Sequence, residues 1–169
     1  DNGLKCCGTH TALDTLEGDA LAKTIQYNKA IGNKYLIVPR IPEERRKTAE
    51  DWKKLAAQFD ALADKVAPAG MRVGYHNHNV EFTPLAGKTP WDLFFGGTKK
   101  AVVQQVDTGN CIDGGGDPVA LIKAYPGRGQ PPPGLESPAQ SPKAPARAPP
   151  DPPTNPRSRG SRQPTQVPA

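Results

Sequence analysis

The chain of 169 residues lacks the cysteine pattern of a disulfide framework or of a structural zinc site. Its three cysteines are the adjacent pair Cys6 and Cys7 and the isolated Cys111. Adjacent residues on a strand point to opposite faces, and an odd number of cysteines without spaced pairs is typical of a reducing compartment. We therefore expect a cytoplasmic protein without structural disulfides.

Long apolar runs and nucleotide-binding signatures are lacking too. No run approaches the roughly 20 apolar residues that cross a membrane, and the N-terminus shows no signal-peptide pattern. No Gly-x-Gly-x-x-Gly fingerprint follows a predicted strand, and the glycines at 114–116 are interpreted as a flexible turn rather than a phosphate loop. We expect no membrane partner.

Charge of one sign is scarce in most of the chain. The net charge of +5 divides into +2 for residues 1–128 and +3 for residues 129–169. Proteins that bind nucleic acids usually concentrate positive charge on one face. The near-neutral charge of residues 1–128 therefore argues against a nucleic-acid partner.

The C-terminal part of the chain has few residues that could build a core. Residues 129–169 contain no aromatic residue and only two large aliphatic ones, Leu135 and Val167, beside 13 of the 20 prolines. Such a segment buries too little apolar surface to offset the entropy of ordering its backbone, and its prolines favour the polyproline II conformation. We predict a folded domain over residues 1–128 and a disordered, proline-rich tail over residues 129–169.

Residues 1–128 do contain a repeat of short apolar strands and amphipathic helices. Strands are predicted at 4–8, 35–38, 71–76 and 101–107, and helices at 18–32, at 48–66, after 89 and after 117. Strands that alternate with helices every 30 residues or so indicate an α/β protein with a parallel sheet. Four such units suit either an open flavodoxin-like sheet or part of a (β/α)8 barrel, which needs about 250 residues.

The clearest helix is predicted to begin after Thr48, a residue type that caps helices, with Glu50 and Asp51 in its first turn. One apolar stripe follows at helical spacing: Trp52, Leu55, Ala56, Phe59, Leu62, Ala63 and Val66. Pro68 and Gly70 end the helix.

Polar side chains lie where predicted strands end. His76 and His78 share one face by alternation, Glu81 follows them, Asp107 ends the fourth strand, and His10 ends the strand segment 8–10. In parallel α/β folds, ligands bind at the carboxyl ends of the strands. The alternative interpretation is structural, with the histidines as hydrogen-bonded strand residues and Asp107 as a cap of the following turn.

Imidazoles and carboxylates at such an edge suit a divalent metal ion such as Mn²⁺, Mg²⁺, Co²⁺ or Zn²⁺. A metal ion polarises a carbonyl or hydroxyl oxygen of a substrate. A carboxylate within reach can then remove a proton from the adjacent carbon. This residue set therefore favours metal-assisted proton transfer.

Separated segments, in order along the chain, resemble the xylose-isomerase-like TIM-barrel family of sugar phosphate isomerases and epimerases. They are GYHNH at 74–78, EF at 81–82, GKTPWD at 87–92, VDTGN at 106–110, GGDPV at 115–119 and YPGR at 125–128. The resemblance implies a (β/α)8 barrel that binds one divalent metal through a Glu, an Asp, a His and a second Glu. It also implies proton transfer between adjacent carbons of a ketose or aldose, while relatives dehydrate sugars or cleave abasic DNA.

Carried over to this sequence, the resemblance assigns Asp107 as the metal-binding Asp. It assigns Glu81 as the first metal-binding Glu and as the catalytic carboxylate, although His76 or His78 can take the ligand position. The remaining histidine, together with His10, is then expected to contact hydroxyl groups of a sugar substrate. The near-neutral charge argues against the abasic-DNA branch of the family.

The chain also departs from the family pattern. The strand that brings the metal-binding His is not found after residues 125–128, the later Glu is not found, and the first strand is expected upstream of Asp1. We therefore expect a partial barrel of about four βα units with weak metal affinity, little turnover and self-association through its open sheet edges.

The proline-rich tail has two interpretations. Its residue types are largely encoded by GC-rich codons, so residues 129–169 are interpreted as an out-of-frame or mispredicted translation. The alternative is a natural interaction tail. In that case the function is that of a non-catalytic fragment whose tail binds partners such as proline-recognition domains.

Overall fold

The structure is a computed structural model that describes residues 3–129. The predicted disorder of the tail concerns residues that, apart from Gly129, lie outside this range. The strands are β1 (Thr9–His10), β2 (Tyr35–Val38), β3 (Arg72–His76) and β4 (Val103–Gln105). The helices are α1 (Ala20–Ala30), α2 (Ala49–Val66), α3 (Pro90–Phe95), α4 (Thr108–Asp113) and α5 (Pro118–Ala124). Within residues 3–129, no helix is long and apolar enough to cross a membrane.

The four strands form one parallel sheet in the order β1-β2-β3-β4. Their register aligns His10 with Ile37, Ile37 with Gly74, and Gly74 with Val103. Each pair of neighbouring strands is connected through helical segments, as the alternating sequence pattern predicts. The parallel α/β architecture is therefore confirmed.

The predicted strand at 4–8 is wrong. The first strand is Thr9–His10, which pairs with Leu36 and Ile37 of β2. Leu4 is 89% exposed, so it has no apolar surface to pack against. The short strand β2 offers partners to only two residues of the edge strand, and residues 4–8 lie before them.

Helix α2 follows its sequence prediction closely. Thr48 accepts a hydrogen bond from the backbone N–H of Asp51, and Asp51 accepts one from the backbone N–H of Thr48, which makes a capping box. All seven residues of the predicted apolar stripe are buried. Gly70, with a φ of 71°, ends the helical region in the left-handed conformation.

The outer face of the sheet carries the aromatic core. Tyr75 of β3 is fully buried, with its ring centroid 6.0 Å from Trp52, 6.2 Å from Phe59 and 5.2 Å from Phe94. Because alternate residues of a strand face opposite sides, Gly74 and His76 point to the other face. That face is where the polar strand ends lie, beside the buried Ile37 and Val103.

After α5 the chain returns to the sheet beside β4. The backbone N–H of Gln104 donates to the carbonyl oxygen of Arg128 at 2.9 Å, and Gln104 and Gly129 form a parallel bridge. Arg128 holds this return in place, because its guanidinium donates to the hydroxyl and the carbonyl oxygen of Thr98 at 2.6 and 2.7 Å. Residues 128–129 thus occupy the place of a fifth parallel strand.

Arg128→Ala is expected to lower the free energy of unfolding by about 2 kcal/mol, since two charge-assisted hydrogen bonds are lost at a partly buried position. Urea denaturation followed by circular dichroism measures this change. Arg128→Lys keeps the charge but not the two-pronged donor geometry, so its stability should fall between that of the other two proteins. An unchanged urea midpoint in Arg128→Ala would show that the backbone bond alone holds the returning chain.

Candidate functional site

Polar side chains from three strands meet at the carboxyl edge of the sheet. His10 ends β1, His76 ends β3 and Gln105 ends β4. The amide oxygen of Gln105 lies 2.8 Å from Nε2 of His10 and 3.0 Å from Nδ1 of His76. The centroids of the two imidazole rings are 4.8 Å apart. The structure therefore brings together two of the histidines that the sequence singled out, through a glutamine to which no role was assigned.

This contact shows how strongly the sheet curves. Strands β1 and β4 are separated by three strand spacings, which is about 14 Å in a flat sheet. The side chains of His10 and Gln105 both extend into this separation and meet in a hydrogen bond of 2.8 Å. The face of the sheet that carries Gly74 and His76 is therefore concave, and the polar cluster of His10, His76 and Gln105 lies in the concavity, as expected inside part of a barrel.

Asp107 joins the same cluster and also caps a helix. Its Oδ1 accepts a hydrogen bond of 2.8 Å from the backbone N–H of Asn110, at the start of α4. Its Oδ2 lies 3.9 Å from Nε2 of His76. Both predicted roles of Asp107 are thus compatible, because the cap uses one oxygen and leaves the other facing His76.

Asn77 positions Asp107 and was missed in the sequence analysis. Its amide oxygen accepts from the backbone N–H of Asp107 at 2.7 Å, and its Nδ2 donates to the carbonyl oxygen of Asp107 at 2.9 Å. Asn77 is fully buried, and its own carbonyl oxygen accepts from Nδ2 of Asn110. A buried amide that bonds both backbone groups of one residue ties the end of β3 to the end of β4. The only signal in the sequence was a polar residue between the two histidines.

The other two predicted site residues differ in their surroundings. The ring of His78 lies beside that of His76, with centroids 5.3 Å apart. Glu81 is 2% exposed; its Oε1 accepts from the hydroxyl of Tyr75 at 2.6 Å and its Oε2 accepts from the backbone N–H of His78 at 2.7 Å. Both carboxylate oxygens of Glu81 are therefore bound by groups of the protein, among them the outward-facing Tyr75.

The electrostatics of these groups follow from burial. Burial, helped by the neighbouring His10, lowers the pKa of His76, while the contacts with Gln105 and Asp107 oppose this shift. This shift favours the neutral form of His76, in which one ring nitrogen carries a lone pair. Burial and the adjacent charge of Glu81 raise the pKa of Tyr75 well above its ordinary value, so its hydroxyl stays protonated and donates to Glu81.

The glycines at 114–116 include a turn, and two of them, Gly114 and Gly116, are also tightly packed. A Cβ on Gly114 would lie 2.4 Å from the carbonyl oxygen of Asn79, and one on Gly116 would lie 2.8 Å from Sγ of Cys111. Both positions also press against the ring of Phe82. Glycine is required here because the backbone passes too close for any side chain.

The fit of a divalent ion to this cluster is partial. Two ligands of one tetrahedral ion, each about 2.1 Å from it, lie about 3.4 Å apart, and Nε2 of His76 and Oδ2 of Asp107 are 3.9 Å apart. Among residues 3–129, however, no group of three or more His, Cys, Asp or Glu side chains is placed to hold a metal ion. His76 and Asp107 thus suit one side of a metal site and do not complete it.

Comparison with known proteins identifies a relative of this fold. No protein-family model matches the chain, and a search of curated proteins found no match. The solved structure of a sugar phosphate isomerase/epimerase from Parabacteroides distasonis ATCC 8503 is similar, with a TM-score of 0.60 and 25% sequence identity. The match covers 75% of this chain and 50% of that protein, so the chain spans about half the length of its relative. The chain therefore contains an α/β fold of four parallel strands alternating with helices that matches part of a TIM-barrel sugar phosphate isomerase/epimerase, as the sequence resemblance predicts.

Proposed function

We propose that this chain provides part of the active site of a metal-dependent sugar phosphate isomerase or epimerase. The observation that supports this most directly is the pair formed by His76 and Asp107, whose Nε2 and Oδ2 face each other across 3.9 Å at the ends of neighbouring strands. This gap is too long for a hydrogen bond. Its two sides are a neutral imidazole and a carboxylate, which are common ligands of Mn²⁺, Co²⁺ and Zn²⁺.

In this proposal His76 and Asp107 hold the ion. The bound ion would polarise an oxygen of the sugar. Asn77 and the cap of α4 hold the Asp107 carboxylate still, so that little entropy is lost when it binds. His10 and His78 lie beside His76 on the concave face and are placed to exchange hydrogen bonds with sugar hydroxyls.

We propose a structural role for Glu81, whereas the resemblance implies that it is a metal ligand and the catalytic carboxylate. For Glu81 to act as a ligand or as a base, its bonds to Tyr75 and to the backbone of His78 would have to break. Its buried carboxylate instead anchors the loop after β3, because it closes that loop onto the strand. We therefore place His76, rather than Glu81, beside Asp107 in the metal-binding pair.

Binding of Mn²⁺ to the purified 169-residue chain, followed by electron paramagnetic resonance, tests the proposal. We expect weak binding and little turnover of sugars, since only two donors are in place. Asp107→Asn and His76→Gln should each weaken Mn²⁺ binding by about tenfold or more. The control is Asp113→Asn, since the Asp113 carboxylate accepts a hydrogen bond from Asn79 outside the cluster. Equal Mn²⁺ binding by all four proteins would refute the proposed pair.

A further inference from the structure

We propose that Gln105 is a positioning residue that fixes complementary tautomers of His10 and His76. Its amide oxygen holds the proton of His10 on Nε2 and that of His76 on Nδ1. The consequence for catalysis rests on the function proposed above, while the tautomers themselves can be measured without metal or substrate.

The argument begins with the geometry of one shared oxygen. Oε1 of Gln105 lies 2.8 Å from Nε2 of His10 and 3.0 Å from Nδ1 of His76, and both distances are those of hydrogen bonds. An amide oxygen has two lone pairs and no proton, so it can only accept. A neutral imidazole carries one N–H. Both rings must therefore point that single N–H at Gln105.

The tautomer of His76 determines whether a lone pair or an N–H group faces the carboxylate of Asp107. With its proton on Nδ1, His76 presents the lone pair of Nε2 to Oδ2 of Asp107 across 3.9 Å. Two electron-pair donors then face each other, which is the arrangement that a cation requires. With its proton on Nε2, the same ring would point an N–H into that space and oppose a cation.

The neutrality of Gln105 matters as much as its position. A carboxylate in its place would favour protonated imidazolium rings, because a negative charge nearby raises the pKa of a histidine. An amide orients the rings without that effect. The other nitrogen of His10, Nδ1, is left as an acceptor.

The position of Gln105 in the fold explains why one residue controls both rings. It ends β4, while His10 ends β1 at the opposite edge of the sheet and His76 ends β3 between them. The curvature of the sheet turns all three toward the same concave face. Gln105 lies on the strand next to His76, and its long side chain also contacts His10 on the far edge strand.

The test is ¹⁵N–¹H correlation NMR of the full chain, labelled on its histidines and metal-free, at a pH of about 8, where imidazoles are neutral. We expect His76 as the Nδ1–H form and His10 as the Nε2–H form. In Gln105→Leu the ratio of Nδ1–H to Nε2–H in His76 should fall by about tenfold, the effect of one net hydrogen bond. Gln105→Glu keeps an acceptor oxygen, so rings that stay neutral should keep the wild-type tautomers, while the added negative charge should increase the fraction of doubly protonated imidazolium. Gln58→Leu, which alters a glutamine of α2 that binds Glu17 and Arg45, should leave them unchanged.

The outcomes separate this inference from the proposed function. Wild-type His76 with its proton on Nε2 would overturn the inference, and this measurement does not depend on whether Gln105→Leu folds. An unchanged tautomer ratio in a folded Gln105→Leu protein would overturn it as well. A third outcome is that the expected tautomers are observed but substitution of His76 or Asp107 leaves Mn²⁺ binding unchanged. This result would support the positioning role of Gln105 and refute the metal-binding pair.

Discussion

Glu81→Ala is expected to lower the free energy of unfolding by about 3 kcal/mol. The substitution leaves two donors, the buried hydroxyl of Tyr75 and the partly buried backbone N–H of His78, without their acceptors. Each unsatisfied buried donor costs about 1–3 kcal/mol, and the space left by the side chain adds to the loss. Urea denaturation, monitored by tryptophan fluorescence, measures the difference.

Two further variants sharpen this prediction. Glu50→Ala removes a glutamate of α2 whose ion pair with Lys53, at 3.8 Å, is exposed, so it should change stability little. Glu81→Gln keeps the shape and one acceptor oxygen, and should cost less than Glu81→Ala. If Glu81→Ala were as stable as the wild type but had lost Mn²⁺ binding, then Glu81 would be the metal ligand that the family resemblance implies.

Gly74→Ala is expected to destabilise the protein by about 2 kcal/mol, because the added methyl group overpacks the concave face. A Cβ at Gly74 would lie 2.6 Å from the carbonyl oxygen of Val103, 2.8 Å from Cδ1 of Ile37 and 2.9 Å from Cβ of Val103. The two atoms of Val103 cannot move unless β4 moves, which would disturb the pairing of β3 with β4. The urea midpoint measures the effect.

The same substitution should also change the geometry of the polar cluster formed by His10, His76 and Gln105. Gly74 lies two residues before His76 on the same face, so a displaced β4 would carry Gln105 away from the ring of His76. The NMR signals of His76 should shift in Gly74→Ala. The matched control is Gly129→Ala, where an added Cβ has no atom of residues 3–129 within 4 Å. Equal urea midpoints for the two variants would contradict the prediction for Gly74.

Local sequence patterns predicted a helix or strand well where the residues that determine its bounds and its buried face all lie within that element. Helix α2 is the clearest case, since its capping box and its apolar stripe lie within one stretch of chain. Strand β2 was predicted at its observed bounds, because a continuous apolar run is typical of a strand in a parallel sheet, and three of its four residues are buried. The edge strand β1 was misplaced, because its bounds depend on the partner strand.

The candidate site was predictable only in part. That His10, His76 and Asp107 would share one edge followed from their places at the ends of parallel strands. The burial of Glu81 did not follow, because sequence spacing does not tell on which side of the strand the loop folds back. The role of Asn77 was hidden for a similar reason, since it bonds to the backbone of a residue 30 positions away.

The sequence by itself thus determined the alternation of strands and helices and the set of polar groups at the strand ends, since both arise from neighbouring residues. Only the tertiary structure decided which of these groups meet. Gln105 and His10 are 95 residues apart and come into contact because the sheet curves. That curvature results from strand twist and from helices packing on the outer face, and these are properties of the whole sheet rather than of any one segment.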